Sequence, residues 1–136
     1  MPETLKFNAH YHYDPGEIGI EIPILLLARG RQVRLNAKID TGAQFCVFQR
    51  DYAEQLEIAI ESGEKRTIHT AGGTTFTVYG HEVQLSCLDW TFETVVYFAE
   101  AAGFNRNVVG RTGWLQQFRL GLIDHESILY LSHHDD

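Results

Sequence analysis

Residues 33–43 read VRLNAKIDTGA, and this stretch decides the fold. Apolar and polar residues alternate through 33–39, which is the period of a β-strand with one buried face. The strand leads straight into Asp40, Thr41 and Gly42, so a carboxylate follows a buried strand on a tight loop. Glycine lets the backbone of such a loop approach a partner closely, and backbone N–H groups can hold the acid. The stretch therefore predicts either a positioned functional acid or an ordinary Asx-type turn.

The same two-residue period recurs along the rest of the chain. It predicts further strands over residues 5–13, 18–24, 76–78, 83–87, 91–98, 118–122 and 128–131. Helix is predicted only over 50–56, with one short helical turn over 113–118. So many short strands in a chain of 136 residues predict an all-β fold that is closed or sandwich-like. The length suits a single domain over 1–136, with 132–136 expected to fray.

Composition and charge argue against several classes of function. Hydrophobic residues make up 44% of the chain and charged residues 21%, which is the balance of a packed globular domain. The net charge of -7 has the wrong sign for holding nucleic acid or an anionic membrane by bulk electrostatics. The first residues lack the pattern of a signal peptide, and the longest apolar stretch, 22–28, is too short to span a bilayer. We therefore expect no nucleic-acid or membrane partner and a cytoplasmic location.

No group of residues in the sequence predicts a cofactor or a metal. Cys46 and Cys87 lie in apolar alternating stretches without a CxxC spacing, so we expect buried free thiols. His10 and His12 are two residues apart on one face of a predicted strand, but no third ligand follows at a telling spacing. We interpret them as surface histidines, and the histidines and aspartates of 133–136 as a solvated tail.

Two further motifs argue that the acid at Asp40 is functional. Residues 107–111 read NVVGR, with two β-branched residues and a glycine ahead of a short helical turn. Residues 66–80 read RTIHTAGGTTFTVYG, in which Gly72 and Gly73 separate two strand-like arms. In this order, the apolar strand, DTGA, the glycine-tipped hairpin, VVGR, the short helix and the final strand resemble the retropepsin-like aspartic proteases. This is the family of the retroviral proteases and their cellular and bacterial relatives.

The resemblance, which covers residues 18–131, implies a closed acid-protease barrel with one or two short helices and a glycine-tipped flap hairpin. It implies that Asp40 is the catalytic acid. It also implies supporting roles for Thr41, Gly42 and Ala43 in the catalytic loop, for Gly72 and Gly73 at the flap tip, and for Val108, Val109, Gly110 and Arg111 in bracing the loop.

Two positions depart from the retroviral pattern. Gln44 stands where retroviral enzymes often place an acid that pairs with the arginine of the Gly-Arg segment, here Arg111. Thr112 stands where relatives frequently have Asp or Asn. The sequence therefore does not identify a partner for Arg111. The role that the resemblance implies for Asp40 does not depend on either position.

The sequence contains only one DTG motif, so one chain supplies only one catalytic carboxyl. Peptide hydrolysis without a metal or a covalent intermediate needs one carboxylate to take a proton from water and one carboxylic acid to protonate the carbonyl oxygen. The chain is too short for two lobes, so the second carboxyl must come from another copy of Asp40. The sequence thus predicts a homodimeric aspartic endopeptidase that acts on a peptide or protein without a cofactor. The alternative is a noncatalytic module of the same fold that binds a peptide or dimerises; the presence of Asp40 favours the enzyme.

Overall fold

Ten β-strands dominate the chain, and the computed structural model describes all of residues 1–136. The strands are β1 Ala9–His12, β2 Glu21–Ala28, β3 Arg31–Ile39, β4 Val47–Phe48, β5 Glu64–His69, β6 Thr75–Cys87, β7 Trp90–Ala99, β8 Val108–Val109, β9 Phe118–Ile123 and β10 Ile128–His133. The helices are α1 Arg50–Gln55 and three 3₁₀ turns, Ile60–Ser62, Leu115–Gln117 and Asp124–Glu126. None of them combines the length and the apolar character needed to cross a membrane. The all-β fold class with short helices is confirmed.

Seven strands form one sheet that closes on itself. Their order is β2-β3-β8-β4-β7-β6-β5, and β2 also pairs with β6 through Leu25, Leu26 and Leu27. The β3–β8 and β4–β7 pairs are parallel, and the other pairs are antiparallel. The second pairing of β2 satisfies backbone groups that an open sheet would leave at its edge. The closed barrel that the resemblance implies is therefore present.

Side chains on the inner face of the barrel form one core. In β2, Ile22, Ile24 and Leu26 are buried while the residues between them are more exposed, as a period of two requires. Full burial of one such side chain contributes about 1.5–3 kcal/mol, so the core gives the strands a rigid frame. Cys46 and Cys87 are buried free thiols, as predicted, and burial raises the pKa of each to about 12.

A second sheet of three strands joins the two ends of the chain. Its order is β1-β10-β9, and both of its pairings are antiparallel. Because β10 is paired on both sides, β1 and β9 are the two edges of this sheet. The β9 edge ends in Leu122 and Ile123, which are large apolar residues with exposed side chains.

Two predicted strands have different limits in the structure. The predicted strand 5–13 is reduced to β1, and the predicted strand 18–24 is replaced by β2, which begins at Glu21 and extends to Ala28. Gly19 has a φ of 85°, a left-handed backbone conformation that interrupts an extended strand. The alternation of residue types continues across this interruption, so the sequence pattern alone does not show it.

Residues 132 and 133 belong to β10, so the tail predicted to fray over 132–136 begins two residues too early. Ser132 is buried within β10, and its hydroxyl accepts a hydrogen bond from the Asn8 N–H at 2.7 Å. The Asp136 carboxylate accepts hydrogen bonds from the Asn8 side chain and from the His133 N–H, each at 3.1 Å. The polar composition of this segment predicts side chains that bond only to water. Here the Ser132 hydroxyl and the Asp136 carboxylate instead accept hydrogen bonds from Asn8, the residue that precedes β1.

Candidate active site

Asp40 follows β3 directly, where this strand runs beside β8. The Asp40 N–H donates to the Val109 carbonyl oxygen at 3.0 Å, so the first residue of the loop still bonds to the neighbouring strand. The Asp40 carbonyl oxygen accepts a hydrogen bond from the Ala43 N–H at 3.1 Å. Oδ1 of the carboxylate accepts one from the Gly42 N–H at 2.9 Å. The loop therefore presents one carboxylate, exposed in the single chain and oriented through one of its oxygens.

The turn at Asp40 is an Asx-type turn, and its geometry alone does not mark a functional site. Oδ1 of Asp14 accepts the same kind of hydrogen bond from the Gly16 N–H, at 2.8 Å. In both turns the glycine has no side chain to crowd the acid: a Cβ would lie 3.3 Å from Oδ1 of Asp40 at Gly42 and 3.2 Å from Oδ1 of Asp14 at Gly16. What distinguishes Asp40 is the structure packed beneath its loop.

The segment that begins with β8 packs against the backbone of the Asp40 loop. The Arg111 N–H donates to the Ala43 carbonyl oxygen at 2.9 Å. A Cβ at Gly110 would lie 2.6 Å from that same oxygen and 2.5 Å from the carbonyl oxygen of Phe45, closer than such atoms can approach. Glycine at 110 therefore allows two backbone segments to meet. Val108 and Val109 pair with the last two residues of β3, so the predicted bracing segment lies beside the loop.

The two departures from the retroviral pattern contact each other. The Gln44 side-chain amide donates to the Thr112 hydroxyl at 2.6 Å, and the Thr112 N–H donates to the Gln44 carbonyl oxygen at 2.8 Å. Arg111 is exposed and forms none of the ion pairs within the chain. A neutral Gln–Thr pair thus joins the loop to the bracing segment, and Arg111 has no acidic partner in the single chain.

The predicted glycine-tipped hairpin is formed by β5 and β6. Its arms pair in continuous antiparallel register from Glu64 opposite Gly80 to His69 opposite Thr75. The Gly73 N–H donates to the Thr70 carbonyl oxygen at 3.0 Å, and Gly73 has a φ of 84°, which a side chain would strain. Apart from the adjacent residues in the chain, no heavy atom lies within 4 Å of the Cβ positions of Gly72 and Gly73, so the tip projects freely. That this hairpin closes over Asp40 stays a prediction.

An aromatic cluster that the sequence patterns do not reveal packs between the hairpin and the segment beyond the Asp40 loop. The buried residues of this cluster are Val47, Val78 and Tyr97. The partly buried residues packed against them are Phe45, Ile68, Phe76 and Phe104. Arg66 on β5 lies over the Phe45 ring, with Cζ 4.9 Å from the ring centroid. Its Nε donates to the Tyr97 hydroxyl at 2.9 Å, and this bond is the main reason that the pKa of Arg66 is raised. Alternation predicted the strands, but it does not show which strand faces meet.

Possible metal ligands come together at the end of β10 and not at the Asp40 loop. Ligand atoms of His133, His134 and Asp135 lie within 4.8 Å of one another. They already bond among themselves, since Nδ1 of His133 accepts the Asp135 N–H at 3.2 Å and Nδ1 of His134 lies 3.0 Å from the Asp135 carboxylate. His10 and His12 are exposed and do not belong to this group. The absence of a metal requirement stays a prediction.

Comparisons with known proteins agree with this architecture. The crystal structure of a retropepsin-like aspartic protease from Rickettsia conorii is similar, with a TM-score of 0.65 and 14% identity over 91% of this chain and 97% of that one. EIAV protease, in a complex with the inhibitor HBY-793, is similar with a TM-score of 0.54 and 20% identity over 71% of this chain and 85% of that one. No curated protein sequence matches the chain. The sequence model described as aspartyl protease matches residues 27–113, more than half of the chain. The chain therefore belongs to the aspartyl protease family, and its fold is the retropepsin-like one.

Proposed function

We propose that the chain is an aspartic endopeptidase that acts as a homodimer, with one Asp40 from each copy at the two-fold axis. The observation that carries this proposal is the exposed Asp40 carboxylate on a loop braced by Gly110. One chain supplies one such carboxylate, and hydrolysis of an amide by water needs a base and an acid together. A symmetric pair of chains supplies both from the same residue.

The proposed chemistry uses the two Asp40 carboxyls in different protonation states. The ionised carboxylate takes a proton from a water molecule as the water oxygen bonds to the peptide carbonyl carbon, and the protonated carboxyl gives its proton to the carbonyl oxygen. The resulting tetrahedral diol then breaks its C–N bond. The carboxyl that was protonated in the first step gives its proton to the departing nitrogen, and the other carboxyl, now ionised, takes a proton from a hydroxyl of the diol. The products are one carboxylic acid and one amine, and both Asp40 side chains return to their starting states.

The second sheet supports association between copies. An edge strand presents unpaired N–H and C=O groups that a second chain can bond. The sheet has two such edges, β1 and β9, and β9 ends in the exposed apolar residues Leu122 and Ile123. Because β10 is paired on both sides, it cannot extend the sheet to a partner. We therefore assign the edge-to-edge contact to β1 or β9.

The proposal is tested by replacing the acid and a matched acid in the same kind of turn. Asp40→Asn keeps the size of the side chain and removes the base, so we expect peptide cleavage by the purified protein to fall by a factor on the order of 10²–10⁴. Asp14→Asn is the control because Asp14 makes the same hydrogen bond in a different exposed turn, and it should leave cleavage unchanged. Cleavage by Asp40→Asn at the wild-type rate would refute the proposal. A folded wild-type dimer that binds peptides without cleaving them would instead identify a noncatalytic module.

A further inference from the structure

Arg66 contacts three separate parts of the structure from the first arm of the hairpin. Its Nη2 lies 2.9 Å from the Glu64 carboxylate on the same strand. Its Nε donates to the hydroxyl of Tyr97 on β7 at 2.9 Å. Its Cζ lies 4.9 Å from the centroid of the Phe45 ring, and Phe45 stands five positions after Asp40. One side chain therefore connects the hairpin, the barrel wall and the segment that leaves the Asp40 loop.

The group beneath Arg66 is itself fixed in place. The Phe45 and Tyr97 ring centroids are 5.0 Å apart, and Tyr97 is buried. The Tyr97 N–H donates to the Cys46 carbonyl oxygen at 2.9 Å, which ties β7 to the residue after Phe45. A planar guanidinium can stack on a ring and donate in its own plane at the same time, whereas an ammonium cannot. The position therefore uses properties specific to arginine.

The contacts of the hairpin end a short way beyond Arg66. Ile68 and Phe76, which are paired across the two arms, still belong to the aromatic cluster and pack against its buried residues. Beyond them, no atom outside the adjacent residues in the chain lies within 4 Å of the Cβ positions of Gly72 and Gly73. The hairpin thus has a base held against the barrel and a tip without support.

We propose that Arg66 is a positioning residue that holds the base of the hairpin against Phe45, so that the hairpin moves beyond Ile68 and not at its base. The importance of this movement for cleavage rests on the function proposed above. A hairpin that pivots near its tip needs to order few residues when it closes on a peptide. With Arg66 removed, the whole arm pivots, and peptide binding must order a longer segment.

Hydrogen exchange of the backbone amides measures this anchoring without any substrate. Arg66→Met keeps most of the side-chain length and removes the charge and the donors, and Tyr97→Phe keeps the ring and removes the acceptor. We expect amides within 64–69 and 75–80 to exchange about tenfold faster in Arg66→Met and less so in Tyr97→Phe, with β2 and β3 unchanged. Arg31→Met is the matched control, because Arg31 forms only a surface ion pair with Glu57.

The outcomes separate the anchoring from the proposed enzyme activity. Unchanged exchange in Arg66→Met, or faster exchange spread evenly over the barrel, would overturn the assignment of Arg66. Faster exchange confined to the hairpin would support it even if the wild-type protein cleaved no peptide, and only the proposed function would then fail. If the wild-type protein cleaves peptides, we expect Arg66→Met to raise KM severalfold with a smaller change in kcat, because the substitution does not alter Asp40.

Discussion

Replacing Gly110 with alanine tests whether the segment beneath the Asp40 loop holds it in place. The added Cβ would lie 2.5 Å from the Phe45 carbonyl oxygen and 2.6 Å from the Ala43 carbonyl oxygen. Both atoms belong to the backbone of the chain that leaves Asp40, so neither can rotate away as the end of a side chain could. One of the two segments must therefore move.

The size of the effect follows from this overlap. Overpacking a well-packed site costs about 1–3 kcal/mol. For a domain of this size, this loss of stability lowers the thermal midpoint by roughly 3–15 °C. Gly103→Ala is the matched control, because no heavy atom lies within 4 Å of its Cβ position and its φ is not in the left-handed region. Alanine there should leave the midpoint unchanged or raise it slightly, since it restricts the unfolded chain.

The assay is thermal unfolding of the two variants and the wild type at one fixed protein concentration, because dimerisation makes the midpoint depend on concentration. Cleavage is measured on the same samples below the lower midpoint. We expect Gly110→Ala to lose stability and most of its cleavage activity, and Gly103→Ala to lose neither. Equal midpoints and equal activities for the two variants would refute the bracing role of the 108–111 segment.

Three further outcomes are expected. Gly73→Val should slow turnover while the protein stays folded, because a β-branched residue is strained at a φ of 84°; Gly72→Val, without that conformation, should be milder, and equal kinetics for both would reject the role of the tip. Cys46 and Cys87, whose pKa is raised by burial to about 12, should resist iodoacetamide in the folded protein. In the unfolded chain these thiols ionise near pH 9, whereas in the fold they keep their protons up to about pH 12. The free energy of unfolding measured in urea should therefore fall as the pH rises from 9 toward 12, because ionisation favours the unfolded chain.

Barrel strands along which buried and exposed residues alternate could be predicted from the sequence. The alternation over 33–39 and over 91–98 gave strands that the structure contains as parts of β3 and β7. It failed at 18–20, where the left-handed conformation of Gly19 breaks the strand without disturbing the alternation. The polar composition of 132–136 predicted a solvated tail but did not reveal that β10 extends to His133, nor that Asn8 donates hydrogen bonds to Ser132 and Asp136 from a distant part of the chain.

The candidate site, too, could be predicted only in part. Asp40 and the 108–111 segment are recognisable because a short motif carries each of them, and the structure places them side by side. The contact of Arg66 with Phe45 could not be predicted, since it joins residues 21 positions apart in sequence through the meeting of two faces. The pairing of Gln44 with Thr112 likewise needed the structure, because the sequence shows only that a charge is missing.

Mixing wild-type protein with Asp40→Asn tests most directly whether each active site takes one Asp40 from each of two chains. The amount of wild type is held constant, an equal amount of the variant is added, and the chains are allowed to exchange under conditions where dimers predominate. If both carboxyls are required, random pairing places half of the wild-type chains with an inactive partner, and cleavage falls to about half. Addition of an Asp40→Asn protein that forms mixed dimers without reducing cleavage would contradict the shared site.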